Sequence, residues 1–134
     1  MTASAPVPAL PPEVMAVIGM EQVRAFAVAS GDFNPIHTSA DAAQAAGLAG
    51  PVLHGMILAG RFETFLERLE GYEIVELRVR FVRPVPVGSA LTISARPFAA
   101  SGQGLHLRLL AAGGGSGLVA IAEARLEPLS EPTK

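Results

Sequence analysis

The chain of 134 residues is half apolar and only 16% charged, with ten Lys and Arg against twelve Asp and Glu for a formal net charge of -2. That length suits one domain able to bury roughly two-thirds of its unfolded surface, and the composition excludes a disordered chain. The charge balance carries no footprint for nucleic acid or an anionic membrane, and the lack of cysteine removes disulfides, thiolate catalysis and cysteine metal ligands.

Residues 1–12, MTASAPVPALPP, have neither a basic start nor an apolar core of signal-peptide length and read as a flexible arm. Later apolar stretches all stop short of the roughly 20 residues needed to span a bilayer, so a soluble, cytoplasmic protein without membrane insertion is expected. So few charges leave little to cover a monomer's surface, which points to a partner surface.

Val14 to Ile18 is a short apolar run, readable as a strand or as core packing. From Met20, MEQVRAFAVASG sets Val23, Phe26 and Ala27 at helical spacing, and Gly31 supplies a C-terminal cap. Asp32 to His37, DFNPIH, reads as a rigid turn, because Pro35 restricts its own backbone and that of Asn34. Phe33 reads as packing beneath it in preference to shaping a pocket. Ser39 caps a short alanine helix, ADAAQAAG, with Asp41 in its first turn and Gly47 closing it.

Gly50-Pro51 is another turn, after which Val52-Leu53 leads inward to His54. From Gly55 to Leu69 a long helix is predicted, with Met56, Ala59, Phe62, Leu66 and Leu69 on one face, widened by Ile57, Leu58 and Phe65. So wide an apolar face implies enclosure by the rest of the fold. Beyond Gly71 the period changes to two: Val75, Leu77, Val79 and Phe81 face one way, Glu76, Arg78 and Arg80 the other.

Pro84 and Pro86 interrupt that strand, and a second is expected around Ala90 to Ala95. A turn at 101–104 leads to a third, in which Leu105, Leu107 and Leu109 alternate with His106 and Arg108. Gly113 to Gly117 is a glycine-rich turn without the Walker lysine or a dinucleotide spacing, and Gly117 to Glu127 forms the last strand. The pattern is α+β: a single domain over 13–129, followed by a polar tail at 130–134, in which a curved antiparallel sheet lays one face on a long central helix.

Asp32, Asn34 and His37 crowd into six positions of otherwise apolar sequence. A carboxylate and an imidazole separated by a tight loop can share a water and divide acid and base roles; equally, His37 can hydrogen-bond Asp32 only to hold the loop. Asn34 is suited either to bracing the turn or to touching substrate. His54 reads as a ligand, a base or a buried structural imidazole, and Gly55 opens a helix whose unpaired N–H groups can stabilise an oxyanion. Asp32, His37 and His54 could also bind a metal, although no recognised ligand spacing is present and none is expected. His106 reads as a surface or interface residue.

The string FAVASGDFNPIH, followed by PVLHGMILAG, resembles the hydratase-2 signature of the MaoC-like, (R)-specific enoyl-CoA hydratase and dehydratase family of hot-dog folds, and FVRPVPVGSALTISA resembles the strand, turn and strand that follow it. The likeness covers roughly Val23 to Leu126, while the brief VMAVIG is shorter than the first strand common in that family. The resemblance implies that Asp32 and His37 activate water for addition to a trans-2-enoyl thioester, or remove it from an (R)-3-hydroxyacyl thioester. It also implies that Asn34 organises the site, that the Gly55 N–H binds the thioester oxygen, and that Ser30 and His54 give support.

By the same resemblance no metal or redox cofactor is needed, the substrate is an acyl-CoA or acyl-carrier-protein thioester, and the protein is a homodimer whose sheets join. Arg61, Arg78, Arg80 and Arg83 are cations that could meet the carrier's phosphates, and each also reads as an ordinary surface arginine. The alternatives are an acyl-thioesterase on the same fold and a non-catalytic, thioester-binding accessory subunit.

Overall fold

A computed structural model of the chain describes residues 10–98, 103–113 and 117–130. Most of the expected arm and tail, the tip of the glycine-rich turn and half of the turn at 101–104 lie outside the described residues. Within them run β1 (Glu13–Val14), α1 (Met20–Ser30), a 3-10 turn (Pro35–His37), α2 (Ala40–Ala45), α3 (Gly55–Leu66), β2 (Tyr72–Phe81), β3 (Leu91–Pro97), β4 (Leu105–Gly113) and β5 (Gly117–Pro128). The strands form one open antiparallel sheet in the order β1-β3-β4-β5-β2. This is the expected hot-dog arrangement.

The sheet works because its inner rows alternate large and small side chains. Ala124 of β5 faces Leu107 on one side and Leu77 on the other; Ala122 faces Leu109 and Val79. Small residues on the inner strand leave depth for a helix, and Leu58, Phe62, Phe65 and Leu66 of α3 share one buried cluster with Ala120, Ala122, Ala124, Leu107 and Leu109. Val23 of α1, together with Met15 and Ile18 from the stretch before it, joins the same cluster.

Several expectations need correction. The central helix ends at Leu66 rather than Leu69, and Met56, placed on its buried face, is 66% exposed. Met56 stands in the first turn of the helix, outside the buried cluster that Leu58, Phe62, Phe65 and Leu66 join. A register shift between Ile74 and Glu76 adds a residue to β2, so Val75 turns outward while Tyr72, Ile74, Leu77 and Val79 pack against the core. Strict alternation cannot anticipate such a bulge, because the extra residue flips the parity of everything before it. The first strand contains only two residues, with Met15 N–H extending the pairing to the Leu91 carbonyl.

Among the described residues no helix is long and apolar enough to cross a membrane. Phe62, fully buried, anchors α3 to the sheet. Phe62→Ala is therefore expected to lower unfolding stability by about 3–5 kcal/mol, the cost of removing a buried aromatic ring and leaving a cavity. A urea titration should show a lower midpoint at unchanged slope.

Candidate active site

The polar loop begins where α1 stops. Gly31 adopts the left-handed conformation at φ 76°, and its N–H closes the helix on the Ala27 carbonyl. Three successive turns then follow the same rule: Ser30 Oγ accepts from the Asp32 N–H (3.2 Å), Asp32 Oδ1 from the Asn34 N–H (3.1 Å), and Asn34 Oδ1 from the Ile36 N–H (3.2 Å). Short polar side chains that bond backbone two residues ahead make the loop rigid without any core of its own. Ser30 and Asn34 thus brace the backbone, and Asp32 keeps its second carboxylate oxygen for other use.

Phe33, expected beneath the loop, is instead 67% exposed. With Asp32 and Asn34 both engaged along the backbone, the residue between them faces away. His37, at the end of the 3-10 turn, is buried. Its Nδ1–H donates to the Val52 carbonyl at 2.7 Å, and since a carbonyl only accepts, that bond assigns the proton of the neutral ring to Nδ1 and leaves Nε2 as an acceptor. Nε2 lies 3.9 Å from Asp32 Oδ2, whose side chain is 52% exposed.

The Val52 carbonyl is itself held in place. Val52 N–H donates to Ile36 O, Leu53 N–H to Val85 O, and Val87 N–H to Pro51 O, so residues 51–53 are strapped between the loop and the 84–87 segment that follows β2. Pro86, which has no N–H to offer, occupies the position in that strap where none is required.

His54 is only 2% exposed and caps α3 from below the loop. Its Nε2–H donates to the Asp32 backbone carbonyl (3.1 Å), its ring stacks on His37 at 3.8 Å between centroids, and the Phe26 ring lies 4.9 Å away. Nδ1 of His54 is buried without a hydrogen-bond partner. His54 thus holds the Asp32 carbonyl and lies against the His37 ring.

Atoms of Asp32, His37 and His54 able to bind a metal lie within 4.8 Å of one another. The two rings, however, are stacked only 24° from parallel, and imidazole lone pairs lie in the ring plane, so their nitrogens do not converge on one ion. Two acceptors, Asp32 Oδ2 and His37 Nε2, face each other across 3.9 Å. Such a pair suits a molecule that donates two hydrogen bonds, as water does.

Beside them opens a cavity of about 340 Å³ lined by His37, Gly55 and an apolar wall that includes Ile36, Leu48, Leu53, Leu58, Phe81 and Val85. Asp32 is not part of that lining. Gly55 is the first residue of α3, so its N–H has no acceptor within the helix. The wall residues after β2 were missed by motif reasoning, and the signal that could have found them is the paired apolar texture of PVL and PVPV. Arg83 borders the cavity. On the outer side of β2, Arg78 pairs with Glu76 at 2.6 Å. His106 sits on β4 next to Phe98, in a separate depression with Arg125 and Glu76.

A family model described as the MaoC like domain matches residues 4–103. The (R)-specific enoyl-CoA hydratase of Aeromonas caviae is 38% identical over 77 residues, 55% of this chain and 58% of its own length. The mitochondrial 3-hydroxyacyl-(acyl-carrier-protein) dehydratase of Arabidopsis thaliana is 29% identical over 76 residues, 56% of this chain and 46% of its own. The chain thus spans about half the length of these relatives. Among solved structures, an (R)-hydratase from A. caviae matches at a TM-score of 0.80 and 25% identity, covering 94% of this chain and 100% of that one. The ChsH1-ChsH2 complex from Mycobacterium tuberculosis shares the fold at a TM-score of 0.78 and 17% identity, covering 90% and 94%.

The stacked support makes its own prediction. His54→Ala removes a buried ring and one hydrogen bond, and should cost on the order of 2–3 kcal/mol of stability. His54→Phe keeps the stack and removes the unpartnered Nδ1 along with the donor, so its melting temperature should stay much nearer the parent's. Thermal denaturation of the two variants side by side checks the ordering.

Proposed function

The chain belongs to the MaoC-like domain family, and from that premise we propose that it is a hydro-lyase that adds water to trans-2-enoyl thioesters, or removes it from (R)-3-hydroxyacyl thioesters. The observation that carries this reading is the acceptor pair Asp32 Oδ2 and His37 Nε2, 3.9 Å apart, beside an apolar cavity that also reaches Gly55. An acyl chain fits such a wall, and a water held by two acceptors keeps its own oxygen lone pairs for attack.

In the hydration direction, the water oxygen bonds to the β-carbon while the Asp32–His37 pair takes up its proton. Electron density moves from the double bond toward the thioester carbonyl, whose oxygen accepts from the Gly55 N–H as enolate character develops. A proton delivered from the pair to the α-carbon completes the addition, so that hydroxyl and hydrogen together account for one water. Ser30 and Asn34 act through the loop they brace, and His54 acts by fixing the Asp32 carbonyl and the His37 ring plane.

The same reading includes a homodimer. Among the described residues β2 lies at the edge of the sheet with β5 as its one neighbour, and Val28, Phe33 and Met56 are large apolar side chains left exposed. An unpaired edge and exposed apolar groups are both answered by a second copy. Light scattering should give twice the chain mass; a monomer that acquires activity only with another MaoC-like chain would replace the homodimer with a heteromer.

The deciding assay follows loss of the enoyl-thioester chromophore of crotonyl-CoA, with chiral analysis of the 3-hydroxyacyl product. Asp32→Asn and His37→Ala should each reduce kcat by at least about 100-fold, the scale of a positioned acid or base, with circular dichroism and particle size unchanged. Near-parental turnover in both variants rules out the dyad, and release of free thiol without hydration makes the protein a thioesterase.

A further inference from the structure

The chemistry above leaves one prominent side chain of the cavity without a role. Phe81, the last residue of β2, lies with its ring against the first residue of α3: a methyl group placed on Gly55 would stand 2.9 Å from Cζ, 3.0 Å from Cε2 and 3.3 Å from Cε1. The ring therefore occupies the space that a side chain at position 55 would need, and glycine is what allows helix start and ring to meet. Phe81 is nevertheless 47% exposed, and it borders the same cavity as His37 and Gly55.

Register explains how the ring comes to be there. Phe81 pairs with Ala120, on the inward-facing set of β2 that includes Leu77 and Val79, and it is the last of that set before Pro84 and Pro86 turn the chain. Its inward direction is set by the sheet, but at the strand's end there is no deep core to enter, so the ring covers the start of α3 instead. It is the one phenyl ring in a wall otherwise made largely of aliphatic groups such as Ile36, Leu58 and Val85.

Whatever accepts from the Gly55 N–H brings its neighbouring atoms up to this ring. For a thioester carbonyl those neighbours are the sulfur and the α-carbon, whereas the distal acyl carbons extend away from the donor. We propose that Phe81 is a specificity-determining residue whose ring, laid on Gly55, closes the space beside the α-carbon and restricts the protein to acyl thioesters unbranched there. This inference rests on the hydration reading, because it is the carbonyl held at Gly55 that brings the α-carbon to the ring.

The test compares kcat/KM for crotonyl-CoA and for its 2-methyl counterpart, using the full chain as the parent, Phe81→Ala and Phe81→Leu. A methyl group accepted or refused by an apolar wall changes kcat/KM by roughly 10- to 200-fold. The parent should favour crotonyl-CoA on that scale, Phe81→Ala should raise the ratio of branched to straight substrate by at least about 10-fold, and Phe81→Leu should fall between. Should Phe81→Ala not fold, the ratio for Phe81→Leu decides.

An unchanged ratio in the folded variants overturns the inference, as does a parent that accepts both substrates equally. A shift confined to preference among straight chains of different length overturns it too, by placing the ring against the tail. A parent that hydrates neither thioester overturns the hydration reading itself and the inference with it. A measurement without substrate tests the contact: Gly55→Ala should lower the melting temperature in the parent and less so when combined with Phe81→Ala, and an equal drop in both backgrounds overturns the packing on which the inference stands.

Discussion

The hydrogen bond from His37 Nδ1 to the Val52 carbonyl, 2.7 Å long and buried, is the constraint on which the rest of the site depends. In net stability it is worth only about 1 kcal/mol, so its importance is directional. It assigns the ring proton, aims Nε2 at Asp32, and fastens the polar loop to the segment ahead of α3. That segment is tied in turn to 84–87 through the Leu53–Val85 and Val87–Pro51 bonds. Loop, helix start and the segment that follows β2 are consequently one mechanical unit, although Asp32 and Val87 stand 55 positions apart in the chain.

The unit is built from two kinds of rigidity. On the exposed side, Ser30, Asp32 and Asn34 hold the backbone by local bonds that need no burial. On the buried side, the His37–His54 stack and the Phe26 ring fill the space beneath. Between the two, Asp32 contributes to both: its side chain closes a turn above, and its carbonyl receives His54 Nε2–H below. The unpartnered Nδ1 of His54 is the cost of burying an imidazole there, and the Nε2–H it donates to the Asp32 carbonyl is what it contributes in exchange.

The sheet supplies the frame through side-chain size. Alanines at 120, 122 and 124 keep the inward row of β5 shallow, and α3 shares one buried cluster with them, with Leu107 and Leu109 of β4 and, at its margin, with Leu77 and Val79 of β2. This seating carries Gly55 to the end of β2, where Phe81 meets it. A bulge at Val75 matters to the same end, because it restores the parity that brings Leu77, Val79 and Phe81 onto the helix side while Ile74 also faces inward.

Much of this was legible in the chain itself. Local chemistry dictated the end of α1 at Gly31, the capped start of α2 at Ser39 and the tight turn at Asn34-Pro35, since each depends on a residue and its near neighbours. Period two in Leu105, Leu107 and Leu109 marked a strand, and the clustering of Asp32, Asn34 and His37 marked the candidate site. What only the tertiary structure decided was everything set by contacts between distant segments: the tautomer of His37, the stacking of His54, the outward turn of Phe33, the exposure of Met56, and the ring of Phe81 on Gly55. The physical reason is the same in each case. Caps, turns and periodicity are fixed by interactions a few residues long, whereas the direction of a proton and the bounds of a cavity depend on which remote carbonyl or side chain folding brings alongside.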